Sequence, residues 1–258
     1  MIGIFNNKTT KADLTLYNGE YILDTVCTSY EITEELNGEY SFDGNFLISD
    51  KINKNAYDLL VNDSLLKVDD EYGIEYFRIA KVTKTKTKYE IFARHITISE
   101  PLKMFCEDVR PTNLNGQNAI SWIFNNSRGN KWIEVTSNIA NINTAYYKNK
   151  SVYEALFDSD NSFLNRWGGE VYRRGFRLSI NTKVGEDRGF SIRSGKNLKG
   201  IEERSNLNTL VTSIYPVGFD GISIPEKYIN SPLVNYYSDI YPKEVKFDDV
   251  KVKSENNE

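Results

Sequence analysis

The sequence predicts a β-rich α+β protein, and three observations support that class. Aromatic residues, which are enriched in strands, make up 13% of the 258 residues. Apolar and polar residues alternate with period two through much of the first hundred residues, as in half-buried strands. Apolar residues at helical spacing are concentrated between residues 115 and 164. We therefore expect a β-rich region, a mixed region and a second β-rich region, in that order.

The first predicted element is a hairpin around Asn37-Gly38. Period-two segments at residues 30–33 and 40–43 flank this pair. Asn-Gly favours a type I′ turn, which needs positive φ at both central residues. Asp43-Gly44 is expected to form a second kink or bulge before the alternation resumes.

Residues 65–98 are predicted to form a meander. Its strands are LLKVDD, IEYFRIAKV and YEIFARHITI, separated by turns at residues 70–73 and near residue 85. The last strand carries apolar residues on both faces, with Phe92, Ile96 and Ile98 on one and Tyr89, Ile91 and Ala93 on the other. A strand of this kind is central or lies in a covered barrel wall. The first hundred residues are therefore expected to form a small, largely antiparallel barrel or sandwich.

The mixed region begins with a helix from Asn115. A second helix is expected from Ser151 to Gly168-Gly169, because Glu154 follows Ser151 at the spacing of a capping box. A hairpin turning at Arg174-Gly175 comes next, and FSIR near Phe190 predicts a further short strand.

Strand-like alternation returns from Ile201, in LNTLVTSIYPVG, and the polar end KVKSENNE is expected to be frayed. We expect three domains: residues 1–99, a β-barrel-like domain; residues 100–197, a mixed α+β domain; and residues 198–258, a second and incomplete β domain.

Composition argues against several classes of function. The net charge is −4, with 32 basic and 36 acidic residues. This balance supplies no general positive field that would attract the phosphates of nucleic acid. No apolar run approaches the roughly 18–20 residues of a membrane span, and no signal peptide is recognisable. We expect synthesis in the cytoplasm and no membrane anchor. Cys27 and Cys106 are expected to be buried thiols, although the sequence leaves their disulfide state open.

His95 is the one histidine, and it lies in a predicted strand. A catalytic pair with Cys106 is conceivable, but neither residue occurs in a recognisable nucleophile motif. The sequence therefore favours a packed strand histidine.

Three further segments resemble known motifs and depart from them. GFSIRSGK, residues 189–196, has five residues between its glycines where a phosphate loop needs four. Residues 158–169 begin like a calcium loop but lack its glycine and final glutamate, so a helix-linking turn with Asp160 as a cap is expected. Residues 221–225 end in proline and do not complete a nucleophile elbow.

Two charged clusters remain. Asp69, Asp70 and Glu71 include carboxylates that could serve glycoside hydrolysis, but a solvated turn is favoured. Lys84, Lys86 and Lys88 suggest either an anionic contact or an exposed hairpin tip that discourages edge pairing, and the tip is favoured. No catalytic, cofactor-binding or metal-binding residue is predicted, and no cofactor is expected.

The order of several segments resembles the N-terminal hub region of the siphophage prophage endopeptidase tail family, also called tail-associated lysin or phage minor structural protein. Each segment is weakly specific alone, and their collinearity carries the resemblance. The segments are YEITEELNGEYSFDG, YFRIAKVTKT, YEIFARHITISEPL, LNGQNAISWIF, SVYEALFDSDNSFLNRWGGEVYRRGFRLSI, SGKNLKGIEERSNLNTLVTSIYPVGFDG and SPLVNYY.

This resemblance implies a fold similar to phage baseplate hub proteins, with two barrel-like antiparallel β domains flanking a mixed α+β domain. It also implies a homotrimer at the virion tail tip of a tailed phage or prophage. The expected partners are the tail tube or a distal tail protein hexamer, the tape measure protein and the host cell-wall surface. Lytic activity in such proteins is expected in a C-terminal extension, so the chain is expected not to be an enzyme.

Two other functions stay open at this point. One is a cell-wall-degrading tail enzyme, either an endopeptidase or a glycosidase. The other is a carbohydrate-binding adhesin that uses its many tyrosines as stacking platforms.

Overall fold

The structure is a computed structural model that describes residues 1–70, 73–202, 207, 209–247 and 250. It divides into two compact units, Met1–Arg188 and Gly189–Glu258. The predicted frayed end at residues 251–258 and residues 71–72 of a predicted turn lie outside the described residues.

The first unit combines one large sheet with helices and two small sheets. Its strands are β1 (Ile2–Phe5), β2 (Tyr21–Ile22), β3 (Cys27–Glu34), β4 (Tyr40–Leu47), β5 (Leu65–Asp70), β6 (Gly73–Lys84), β7 (Lys88–His95), β8 (Phe105–Val109), β9 (Glu134–Ser137), β10 (Tyr147–Ser151), β11 (Glu170–Arg174) and β12 (Arg177–Asn181). Its helices are α1 (Lys11–Leu16), α2 (Asn55–Asp58), α3 (Ile96–Lys103), α4 (Gly116–Asn126), α5 (Val152–Leu156) and α6 (Phe163–Trp167).

The large sheet is seven-stranded, with the order β2-β1-β5-β6-β7-β4-β3, and each neighbouring pair is antiparallel. It is a curled antiparallel sheet, and the β-rich α+β class predicted from the sequence is confirmed. Strands β8 and β10 form a separate pair, and β11-β12-β9 form a three-stranded sheet whose β9–β12 pair is parallel.

Two apolar cores lie in this unit. The first contains Phe42, Phe77 and Ile91 from the large sheet. The second gathers the helices and small sheets around residues 104–180, and it also takes Phe5, Leu65 and Tyr76 from the large sheet. Because alternate residues of a strand face opposite sides, β6 supplies Phe77 to one core and Tyr76 to the other. The division at residues 99 and 197 stays a prediction.

The Asn37 hairpin forms as predicted, although its turn differs. Asn37 has a φ of 60°, while Gly38 does not have a positive φ, so the turn is not type I′. The loop is longer than two residues: Glu35 N–H donates to Glu39 O at 2.8 Å, and Gly38 N–H donates to Glu35 O at 3.1 Å.

The bulge expected at Asp43-Gly44 is wrong. These residues pair regularly with β3, whose own irregularity lies between Cys27 and Ser29. Gly44 instead leaves room for two aromatic rings. An added Cβ would lie 2.6 Å from Cε1 of Phe42 and 2.9 Å from Cε2 of Phe46.

The third meander strand ends earlier than predicted. It stops at His95, and Ile96–Lys103 is a helix. The Ile-Thr-Ile alternation is strand-like, but burial of residues 96–101 favours a packed helix over this local preference. Phe92 is only half-buried, so the apolar face of β7 is the one that carries Tyr89, Ile91 and Ala93.

The helix beginning at Asn115 and the Ser151–Glu154 capping box are confirmed. The second predicted helix is two short helices, since residues 157–162 form a turn between α5 and α6. Ser162 caps α6 by accepting from Asn165 N–H, so the cap expected at Asp160 is wrong. The Arg174-Gly175 turn is confirmed, with Gly175 at a φ of 52°.

The second unit contains β13 (Ser213–Gly218), β14 (Ile229–Asn230) and β15 (Pro242–Phe247) in the order β14-β13-β15. The β13–β14 pair is antiparallel and the β13–β15 pair is parallel, so only one pair matches the antiparallel expectation. The strand expected near Phe190 is wrong, because residues 190–193 have no strand partner and Arg193 N–H donates instead to Asn197 Oδ1. Among the described residues of this unit, Thr212 and Ser213 are buried and no apolar side chain is.

Candidate functional site: the buried junction around His95

The clearest concentration of buried polar groups lies where β7 meets α3. His95 has no exposed surface. Its Nδ1 accepts from Thr97 N–H at 3.3 Å and lies 2.8 Å from Thr97 Oγ1, so the ring caps the N-terminus of α3. Its Nε2 lies 2.9 Å from Glu75 Oε2. Because Nδ1 is an acceptor, the proton of the neutral ring belongs on Nε2, which donates to Glu75.

The β11–β12 hairpin docks on the same carboxylate. Gly175 N–H, at the turn of this hairpin, donates to Glu75 Oε2 at 2.7 Å. Arg174 reaches both carboxylate oxygens of Glu34 at 2.9 and 2.8 Å, and its Nε lies 3.8 Å from Glu75 Oε1. Glu75 therefore links the imidazole of β7 to the turn of a hairpin 100 residues away.

A second attachment holds the base of this hairpin. Asn37, at the turn between β3 and β4, donates through Nδ2 to Gly169 O at 3.1 Å. Its Oδ1 accepts from Val171 N–H at 2.7 Å. The hairpin is thus fixed at its base by neutral hydrogen bonds and at its turn by charged groups.

The charges at the junction balance when His95 is neutral. Glu34 and Glu75 oppose Arg173 and Arg174, and the Tyr40 ring stacks on the imidazole with the centroids 4.3 Å apart. Burial lowers the pKa of His95, and the charge of Arg173 acts in the same direction. The hydrogen bond and the charge of Glu75 raise this pKa, as does the charge of Glu34. The resulting pKa lies below the ordinary value of 6.5.

The junction brings a carboxylate, an imidazole and a hydroxyl into a chain of contacts, those of Glu75, His95 and Thr97. Hydrolytic triads have the same order of groups. His95 and Thr97 are fully buried and Glu75 is nearly so. A substrate cannot reach the Thr97 hydroxyl in this conformation. The chemistry available here is proton exchange and hydrogen bonding between elements. The packed strand histidine preferred from the sequence matches this burial, although His95 ends its strand and caps a helix.

The two cysteines have partners of their own. Cys106 is buried with its Sγ 3.2 Å from Ser127 Oγ, and burial raises the pKa of its thiol. Cys27 is only half-buried, so the burial expected from the sequence is confirmed for Cys106 alone. Partial burial raises the pKa of the Cys27 thiol as well. Both are free thiols, and the ring nitrogens of His95 contact Glu75 and Thr97 rather than Cys106.

The motif-like segments take the following positions. GFSIRSGK is an exposed loop. At its end the N–H of Lys196 donates to the carbonyl oxygen of Arg193 at 3.2 Å, which closes a turn. Residues 158–162 link α5 and α6, and residues 221–225 begin at the last residue of a short 3₁₀ turn. Among the described residues, no group of three or more His, Cys, Asp or Glu side chains is arranged to hold a metal ion.

The two charged clusters lie at different places in the large sheet, one at the end of β5 and one at the turn between β6 and β7. Asp69 and Asp70 end β5, and Glu71 lies outside the described residues. Lys84 and Lys88 flank a tight exposed turn that includes Lys86, as expected for a hairpin tip, with Lys84 over the Tyr89 ring.

An open cleft of about 430 Å³ lies beside the second buried charge pair. Arg78 on β6 donates through Nη2 to Glu100 Oε1 of α3 at 2.6 Å, and both side chains are almost completely buried. Lys103 and Asp63 pair at the cleft, and Trp132 lies against the Arg78 guanidinium. Sequence reasoning missed both Glu75 and this pair, because a single acidic or basic residue within a strand or a helix has no motif.

Within the described residues, helices that are both long and apolar enough to span a membrane are absent.

Residues 5–99 match the family described as the prophage endopeptidase tail N-terminal domain. The matched range contains nearly all of the seven-stranded sheet together with Glu75, His95 and Thr97. The resemblance inferred from the sequence is thereby confirmed for this prophage tail domain. No curated protein matches the chain.

Two solved tail proteins share the fold. A tail protein from Neisseria meningitidis is 13% identical with a TM-score of 0.52, and the alignment covers 81% of this chain and 63% of that chain. The 43 kDa tail protein of prophage MuSo2 from Shewanella oneidensis is 12% identical with a TM-score of 0.52, covering 83% and 65%. The prophage tail protein gp18 from Listeria monocytogenes is 14% identical with a TM-score of 0.49, covering 90% and 68%. The chain thus spans less than two thirds of the Neisseria and Shewanella proteins.

Proposed function

We propose that the protein is a structural tail-tip, or baseplate hub, component of a tailed phage or prophage. In this role it is a homotrimeric adaptor between the tail tube, or a distal tail protein hexamer, and the tip or receptor-binding apparatus, next to the tape measure protein. The observation that carries the proposal is the prophage tail domain at residues 5–99. The shared fold with tail proteins, over 81% and 83% of the chain, supports it.

The surface of the second unit supports self-association. Leu233 and Tyr236 are 66% and 84% exposed, and no described apolar side chain of this unit is buried. Large exposed apolar patches mark surfaces that other protein covers, and interfaces are enriched in aromatic anchors. We assign the cover to further copies of the same chain. In this proposal residues 198–258 belong to a second β domain.

Sedimentation velocity of the purified full chain tests the trimer. We expect a trimer that the double substitution Leu233→Glu/Tyr236→Glu shifts towards monomer, because two charges would be buried without partners. Leu16→Glu, in the first unit at a side chain that is 75% exposed, is the control and should leave the trimer intact. A chain that stays monomeric at high concentration contradicts the proposal, and equal effects of the two variants contradict the interface.

The enzymatic alternative is tested separately. The order of Glu75, His95 and Thr97 favours it, whereas the burial of these groups opposes it. We expect no fragments from Gram-positive peptidoglycan incubated with the chain. Reproducible release that His95→Ala or substitution of Asp69 and Asp70 abolishes would establish a cell-wall enzyme. Specific binding on a glycan array would instead support the adhesin.

A further inference from the structure

We propose that His95 is a proton-sensitive latch. With a neutral ring it holds the turn of the β11–β12 hairpin on the end of the seven-stranded sheet, and protonation of the ring loosens that attachment. The proposal rests on the hydrogen bonds and charges of the junction and does not depend on the tail-tip function.

The first step is the position of the second proton. Nε2 already donates to Glu75, so an added proton must go to Nδ1. Nδ1 accepts from Thr97 N–H at 3.3 Å, and two N–H groups cannot share that position. Protonation therefore removes the acceptor that caps α3, a loss that leaves a helix N-terminus with an unsatisfied donor.

The second step is the charge balance. Glu75 of β6 and Glu34 of β3 face Arg173 and Arg174 of β11, and Tyr40 of β4 covers the ring. An imidazolium adds one positive charge to this balanced set, at a ring that has no exposed surface and where charge is therefore costly. Burial lowers the pKa of His95 from 6.5. Because the unfolded chain then binds this proton more readily than the folded chain, stability is full above about pH 6.5 and falls as the pH drops below it.

The third step connects the ring to the hairpin. Glu75 Oε2 accepts both from His95 Nε2 at 2.9 Å and from Gly175 N–H at 2.7 Å. An imidazolium draws this oxygen more strongly than a neutral ring does, which weakens its bond to Gly175. The Asn37 bonds contain no titratable group, so the base of the hairpin stays attached while its turn loosens.

Hydrogen exchange of the full chain at pH 7.5 and at a pH below the midpoint of the His95 titration, corrected for the intrinsic exchange rates, tests the latch. We expect residues 170–181 to exchange severalfold faster at the lower pH, while β5 and β6 change little. His95→Gln is the matched variant, because its amide can accept from Thr97 and donate to Glu75 without titrating. It should keep the protection of residues 170–181 at both pH values. Equal protection of the wild-type hairpin at both pH values, or the same pH response in His95→Gln, would overturn the proposal.

A second measurement keeps the test decisive if His95→Gln folds poorly. The chain has one histidine, so its imidazole NMR signals need no assignment. We expect the neutral ring to be protonated on Nε2 and to titrate below pH 6.5, with the amide signals of the hairpin turn changing at the same midpoint. A ring protonated on Nδ1, or hairpin signals that do not follow the ring, would overturn the latch.

Discussion

The buried pair of Arg78 and Glu100 gives a sharp test of how the large sheet is joined to the helices. Arg78 Nε and Nη2 donate to Glu100 Oε1 at 2.8 and 2.6 Å, and Nη1 donates to Asp63 O at 2.9 Å. Glu100→Gln removes the charge of the carboxylate while keeping its shape. The guanidinium then stays buried with the half-exposed Asp63 carboxylate at 3.5 Å as its remaining counter-ion.

Breaking a buried ion pair from one side costs about 3–5 kcal/mol, since it leaves an uncompensated buried charge. Because Arg78 keeps its contacts with Asp63, we expect the lower end, about 3 kcal/mol. For a unit of this size that loss corresponds to roughly 6–12 °C in Tm. Replacing both partners, in Arg78→Met/Glu100→Leu, should recover most of the stability, because two well-packed apolar side chains need no counter-ion.

Urea unfolding followed by tryptophan fluorescence measures these changes. Trp122, Trp132 and Trp167 all lie in the first unit, so the signal reports on that unit alone. Glu134→Gln is the control, since its partly exposed pair with Lys11 is worth about 0–1 kcal/mol. The reasoning is refuted if Glu100→Gln is no more destabilising than Glu134→Gln, or if the double variant is less stable than Glu100→Gln.

Two further substitutions follow from packing. Gly44→Ala should destabilise the first unit by about 1–3 kcal/mol through overpacking against Phe42. Gly185→Ala is the control and should leave the urea midpoint unchanged, because no atom lies within 4 Å of its added Cβ. Equal urea midpoints for the two variants would contradict this prediction. Tyr147→Phe should stabilise by about 1 kcal/mol, because the hydroxyl is buried without a hydrogen-bond partner among the described residues. Since burial raises the pKa of Tyr147, wild-type stability should also fall as the pH rises above about 10, and a similar fall in the variant would contradict that assignment.

Predictions from the sequence succeeded where neighbouring residues decide the structure. The Asn37 hairpin, the Asn115 cap and the Ser151–Glu154 capping box each depend on residues within a few positions of one another. The family resemblance succeeded for a related reason, since many short motifs kept in order carry more information than any one of them.

The candidate site was predictable only in part. His95 was singled out by being the one histidine, but its partner Glu75 is 20 residues away in another strand. Gly175 joins that carboxylate from 100 residues away. No spacing rule connects positions that meet only after the sheet curls and the hairpin docks.

The sequence by itself determined the β-rich class, the main hairpins and the capped helices, because backbone preferences and period-two patterns act locally. Tertiary structure decided that residues 96–103 form a helix despite their strand-like alternation, and that Glu75 serves two elements at once. The reason is physical: burial makes unsatisfied polar groups costly, and which groups become buried together depends on contacts between distant parts of the chain.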